Sequence, residues 1–227
     1  MITRDEVLEL LATSFNRFLF DNFQSTEQIN NAVTGTGEVV PNLLDMTLDT
    51  GMQANSTAKI YYAMNWFNPV YSKLYLRLYA KSISDVFAFI GFKESLSDPT
   101  STMTESHAGL MIYNSKLYFS TGRKLIVNGN LVQGQQKTEI TGMDITKDFI
   151  YKIENNKLST QPLPQRIPYF DGFRIITPDR IFSLRAENGT FPPLDEVHYL
   201  TAFIKNTTGT GRFIKIKTLT YGEEYAD

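Results

Sequence analysis

Apolar residues follow two different rhythms along this chain. From Val7 to Leu19 they recur at three- and four-residue intervals, so that Val7, Leu8, Leu11, Phe15, Phe18 and Leu19 share one stripe of a helix. Thr3 and Glu6 have capping-box spacing, Ile2 and Val7 that of a hydrophobic staple, and Asp21 with the polar QSTEQINN segment closes the element. The pattern predicts one amphipathic α-helix within an N-terminal helical arm, residues 1–30. Its stripe needs a partner, either its own domain or a neighbouring subunit, in which case it is an assembly arm.

Beyond Asn31 the rhythm shortens to that of strands. β-rich runs alternate with turn signals: LDTG at 48–51, YNSK at 113–116, NGN at 128–130, NN at 155–156, DG at 171–172 and NG at 188–189. Such punctuation predicts an antiparallel sandwich over residues 31–227 rather than βαβ units. GLMIY and KLYFST should meet at Asn114–Ser115, and RKLIV and LVQG at Asn128–Gly129, the strongest short hairpin signal. Apolar residues on both faces of GLMIY predict an interior strand covered on each side. The tetrapeptide TGTG occurs at 34–37 and 208–211, but its flanks differ, so it is no repeat. The second copy reads as a hairpin turn ahead of FIKIKTLTY.

In LYLRLYA, Leu74, Leu76 and Leu78 alternate with Tyr75, Arg77 and Tyr79. Leucines in the core would leave a Tyr-Arg-Tyr stripe outside. With Trp66 from the same aromatic-rich stretch, that stripe is a candidate interface or glycan surface. A second sheet over the same face would instead make the tyrosines core. Lys215 and Lys217 oppose Ile214 and Ile216, the pattern of a solvated face.

Composition narrows the picture. A chain of 227 residues, 42% of them hydrophobic, can bury a large single core. Its formal charge of −2 and pI near 5.8 supply no global positive field, so no nucleic-acid partner is expected. The absence of cysteine excludes disulfides and thiolate catalysis. The first twenty residues place charges among the apolar ones and do not read as a signal peptide. No apolar run approaches the ~20 residues that span a bilayer, so no membrane insertion is expected.

Candidate chemistry is sparse. His107 and His198 are the only histidines, and neither has a second within ligand spacing, so no metal is expected. His198 alternates with Leu200, Ala202 and Ile204, as a hydrogen-bonded group at a core edge would. Ser106, His107 and Asp144 make a triad on paper. Adjacent strand residues face opposite ways, however, and no nucleophile-elbow pattern is present. Glycoside hydrolases need two acids about 5–10 Å apart, for which an E-x-D-x-E run would be the signal. Glu139, Asp144 and Asp148 are too spread, Glu187 and Asp195 flank a proline-containing loop, and Glu223-Glu224 is terminal. TGTGR precedes a strand, not the helix N-terminus a phosphate loop requires. No EF-hand pattern is present. The residues therefore predict a chain that is not an enzyme and uses no cofactor. Asn55, Asn188 and Asn206 lie in N-x-S/T sequons, which matter only in a glycosylating compartment.

LYLRLYAKSISDVFAFIGFKES, HAGLMIYNSKLYFSTG, DFIYKIENNKLST and VHYLTAFIKNTTGTGRFIKIKTLTY follow one another in an order that resembles a concanavalin A-like, laminin-G-type jelly roll. The likeness covers roughly residues 31–222 and is one of pattern. It implies an all-β antiparallel sandwich, here preceded by the helix. The acidic run of hydrolase members and the metal loop of lectin members are missing, so neither activity carries over. A jelly roll with a helical arm and no catalytic set also resembles virion capsid, turret and fibre proteins. That resemblance implies a structural subunit located in the virion, partnered by copies of itself or other virion proteins and attaching to a host glycan. The alternative is a carbohydrate-binding, lectin-like module. Outside a virus, the place is extracellular or cytoplasmic.

Overall fold

The computed structural model describes residues 17–21, 29–42, 45–63, 67–69, 72–155, 172–176, 180–185, 192 and 196–223. Among them are fifteen strands and no helix. They are β1 (Arg17–Asp21), β2 (Ile29–Thr34), β3 (Glu38–Asn42), β4 (Asp45–Asp49), β5 (Thr57–Tyr62), β6 (Ser72–Ala80), β7 (Val86–Lys93) and β8 (His107–Tyr113). There follow β9 (Lys116–Val127), β10 (Asn130–Glu139), β11 (Phe149–Asn155), β12 (Gly172–Ile176), β13 (Ile181–Arg185), β14 (Tyr199–Asn206) and β15 (Phe213–Glu223). Two antiparallel sheets result. Sheet A runs β13-β12-β11-β6-β15-β4-β3, with β1 also on β15, and sheet B runs β10-β9-β8-β7-β14-β5-β2. The chain passes repeatedly from one sheet to the other, as a jelly roll does.

Alternation along the strands builds the core between the sheets. Leu74, Leu76 and Leu78 of β6 face Ala88, Ile90 and Phe92 of β7 and Ala108, Leu110 and Ile112 of β8 within one buried cluster. In β15 a period of two would send Leu219 and Tyr221 outward if Ile214 and Ile216 point in. A bulge between Ile216 and Thr218 resets the phase, and all four are buried. Tyr221 then packs edge-on against Phe67, ring centroids 4.9 Å apart, and its hydroxyl accepts the Asn68 N–H at 2.8 Å.

The hairpin expectations hold in detail. Asn114 and Ser115 take φ of 49° and 57°, Asn128 and Gly129 51° and 78°, the double positive φ of tight primed turns. β7 is buried along its whole length, and β8 up to Tyr113, so both are covered on two faces.

Two expectations need correction. Val7, Leu8, Leu11 and Phe15 lie outside the described residues, but Phe18 and Leu19 belong to a strand. Arg17–Asp21 pairs with Leu219–Glu223 of β15. The reason is a vacant ladder: β4 pairs with β15 only along Phe213–Ile216, and β1 fills the edge beyond it. Nor is the second TGTG a hairpin turn. It joins β14 of sheet B to β15 of sheet A, as the first joins β2 of sheet B to β3 of sheet A. The backbone comes so close at these corners that a Cβ on Gly37 would lie 1.9 Å from the Thr57 carbonyl oxygen.

Candidate functional site

The face of sheet B turned away from the core carries every second residue of its strands: Phe87, Phe89 and Lys93, His107, Met111 and Tyr113, Phe203 and Lys205. The β7–β8 connection, residues 94–106, folds back across it as a strap. Met103 of the strap is buried against Phe87, Phe89, Met111 and Phe203, a second apolar cluster outside the main core. Three lysines rising from the sheet hold the strap's polar groups. Lys59 Nζ donates to the Leu96 carbonyl at 2.9 Å and pairs with Asp98 at 2.6 Å. Lys93 Nζ donates to the Ser97 carbonyl at 2.7 Å and pairs with Glu105. Lys137 Nζ donates to the Ser101 carbonyl at 3.0 Å.

Under one end of the strap the groups are deeply buried. His107 Nδ1 donates to the Glu105 carbonyl at 2.8 Å, which leaves Nε2 to accept the Ser120 hydroxyl at 2.8 Å. Ser120 Oγ in turn accepts Gln135 Nε2 at 3.1 Å. The ring fits because the facing residue is glycine: a Cβ on Gly122 would lie 2.3 Å from His107 Cε1 and Nδ1. Burial pushes the His107 pKa down to about 4, so the ring is neutral near pH 7. Burial lowers the Lys93 pKa too, against the pull of Glu105. Burial opposes ionisation of Glu105, but hydrogen bonds from Lys93, Ser95 and Ser97 hold its pKa below the usual value. A serine hydroxyl on a histidine nitrogen is the geometry of a nucleophile pair. Here both side chains are fully buried and serve the hairpin as a pin.

The paper triad does not assemble. Ser106 Oγ accepts the Lys124 N–H at 3.1 Å, and Asp144 caps its own turn through Thr146 N at 3.0 Å. His198 is buried beside Glu196, 3.6 Å from Oε2, and burial lowers its pKa to about 4. Among the described residues no three potential metal ligands gather.

At the other end of the strap, sheet B opens into a pocket of about 450 Å³. Its floor is aromatic, Phe87 and Tyr113, with ring centroids 6.4 Å apart. Hydroxyl and amide groups of Asn55, Thr100, Ser101, Asn114, Ser115 and Thr207 line the rest, with Pro99 from the strap and Asp85 and Lys205 as the charged members. The β8–β9 turn therefore lines a pocket as well as joining two strands. Its positive-φ residues turn the chain just where Tyr113 enters the pocket.

Other expected residues lie elsewhere. Tyr75, Arg77 and Tyr79 do face outward on sheet A, with the leucines in the core. Arg77 holds Asp148 through Nε at 3.2 Å and Nη2 at 3.1 Å, and Lys217 joins the same carboxylate at 2.5 Å. Trp66 is outside the described residues. Glu139 pairs with Lys116 at 2.8 Å. Asn206 of the third sequon is buried and donates to the Gly51 carbonyl, which bars it as a glycan acceptor in the folded chain. The strap, Tyr113 and Lys205 escaped the sequence reading. Lysines at sheet positions otherwise apolar, Lys59 and Lys93, were the available signal.

No protein-family model and no curated protein matches the chain. Solved structures do. An endo-acting O-glycanase, of the kind that human gut microbiota express to initiate mucin breakdown, superposes with TM-score 0.60 at 9% identity. The match covers 91% of this chain and 99% of that one. The laminarinase catalytic domain of Thermotoga petrophila RKU-1 gives 0.57 at 10% identity, over 91% and 96% of the two chains. The carbohydrate recognition domain of Emp46p gives 0.52 at 8%, over 90% and 92%. The fold is a concanavalin A-like sandwich. That likeness shows the fold and brings no support to the virion reading. It also overturns the expectation of a chain without enzymatic activity. Solved structures that share the sandwich include a laminarinase and a transglycosylase. The missing E-x-D-x-E run speaks only against acids placed on one strand, since facing strands and loops can supply them as well.

Proposed function

We propose that this protein recognises carbohydrate in the pocket at the end of sheet B. The observation that carries the reading is the pocket's composition: one half-buried tyrosine ring on the floor, ringed by short hydroxyl and amide side chains. A sugar presents an apolar C–H face and a rim of hydroxyls. An aromatic ring answers the first, and paired donor-acceptor side chains answer the second. The volume lies within the range usual for small-ligand sites. The strap directs the ligand there by occupying the rest of the face.

The test is a glycan array followed by titration calorimetry on the best hit. Tyr113→Ala should weaken binding by about tenfold, some 1.4 kcal/mol, while the thermal midpoint stays close to that of the parent. Undiminished binding by Tyr113→Ala would sink the reading. The same panel assayed for new reducing ends reads out turnover, and turnover abolished by Asp85→Asn would make Asp85 a catalytic residue.

A further inference from the structure

We infer that the pocket selects an acidic sugar, one bearing a carboxylate or sulfate, through Lys205. This inference rests on the proposed carbohydrate recognition and adds the class of ligand.

It follows from where the charges around the pocket are spent. The lining contains one carboxylate, Asp85, and Arg212 Nη2 holds its Oδ2 at 3.2 Å. That guanidinium is further fixed by Nε donating to the Ser84 carbonyl at 2.9 Å, so the pair is neutral and built in. Asp98, next to the lining residue Pro99, is held by Lys59 at 2.6 Å. Lys205 is different. It stands at the pocket end of β14 on the same face as Phe87, its register partner, and its ammonium has neither ion pair nor hydrogen bond to any described residue. Lys137 adds a second positive charge close by, its Nζ 5.4 Å from the Tyr113 ring centroid and bound to a neutral carbonyl on the strap.

The local sum is thus positive in a molecule whose formal charge is −2. Among the described residues, these two lysines stand against no uncompensated acid. A concave wall of one sign focuses potential, and an anion that enters gains a charge-assisted hydrogen bond without breaking an existing pair. A neutral sugar would leave Lys205 to water.

The experiment compares matched glycans on one array, neutral backbones beside the same backbones carrying uronate, sialate or sulfate, for the parent protein and Lys205→Gln. The parent should prefer acidic forms at least tenfold, with affinity falling as salt rises from 50 to 300 mM. Lys205→Gln should lose that preference while keeping the neutral backbone within about twofold. Comparison of carboxylate with sulfate glycans identifies which anion is bound. Equal binding of neutral and acidic forms, or an acidic preference that survives Lys205→Gln, overturns the inference and leaves carbohydrate recognition standing. No binding to any glycan overturns both.

Discussion

At the scale of single residues, the buried polar groups under the strap have consequences that can be measured. Gly122 faces the His107 ring, and Gly122→Ala should destabilise the protein by about 1–3 kcal/mol through overpacking, read from urea unfolding. Ser120→Ala leaves His107 Nε2 and Gln135 Nε2 without their shared partner and should cost a similar amount, about 1–3 kcal/mol. The two histidines also set a pH window. Their folded pKa values of about 4 lie below the ordinary 6.5, so on acidification the unfolded chain takes up these protons first. Stability is therefore level with respect to these groups above about pH 6.5. It falls from there to about pH 4 by up to ~1.4 kcal/mol per pH unit for each histidine, then flattens. Chemical denaturation at pH 7.5, 6 and 5 checks the slope. Replacing His107 by Gln should remove its share. At this scale the alternation with Leu200, Ala202 and Ile204 marks only His198 as a core-edge group, and no local pattern made the burial of His107 legible. Its partners were not legible either, since Ser120 and Gln135 meet it only through the register of three strands.

At the scale of elements, the strap and the bulge in β15 stand out. Lys93→Met strips Glu105 of its buried counterion, a loss of about 3–5 kcal/mol for pairs of this kind. The strap should open before the sandwich does. Limited proteolysis within residues 96–104 should then accelerate at least tenfold, and Lys93→Met with Glu105→Leu should restore much of the resistance. A strap that stays equally resistant in Lys93→Met would show that Met103 and the other two lysines suffice to hold it. In β15, deleting Lys217 removes the residue at which the alternation shifts. Ile216 and Leu219 would then stand two positions apart on a regular strand. Leu219 and Tyr221 should therefore stay inward and the chain should keep a cooperative thermal transition, whose loss would show that the bulge itself is needed. The bulge was readable in FIKIKTLTY, where apolar positions step by two and then by three. The end of the arm was not. Val7 to Leu19 keeps helical spacing, yet Arg17–Asp21 pairs with an edge of β15 that the local pattern cannot disclose.

At the scale of the molecule, the sandwich was written in alternation and turn residues. Two sheets follow from period-two patterns and asparagine-led turns, and the double cover of β8 from apolar residues on both its faces. The alternation of Tyr75, Arg77 and Tyr79 with leucines, by contrast, left open which way the stripe would face. Which strands cross between sheets was not legible, and so the pocket was not either. Its lining comes from five separated segments that meet only after the corners at 34–37, 50–56 and 207–212 are folded. The strap has one more consequence for what such a protein can take hold of. An uncovered sheet offers a long polymer a path to lie along, and each further unit adds contact. A covered one leaves only a blind end. Affinity should then stop rising with oligosaccharide length after the first few units, and a branched surface should be read by its tips rather than its trunks. Calorimetry across a length series of one glycan would show a plateau at short lengths, whereas a steady climb would mean that the ligand runs over the strap.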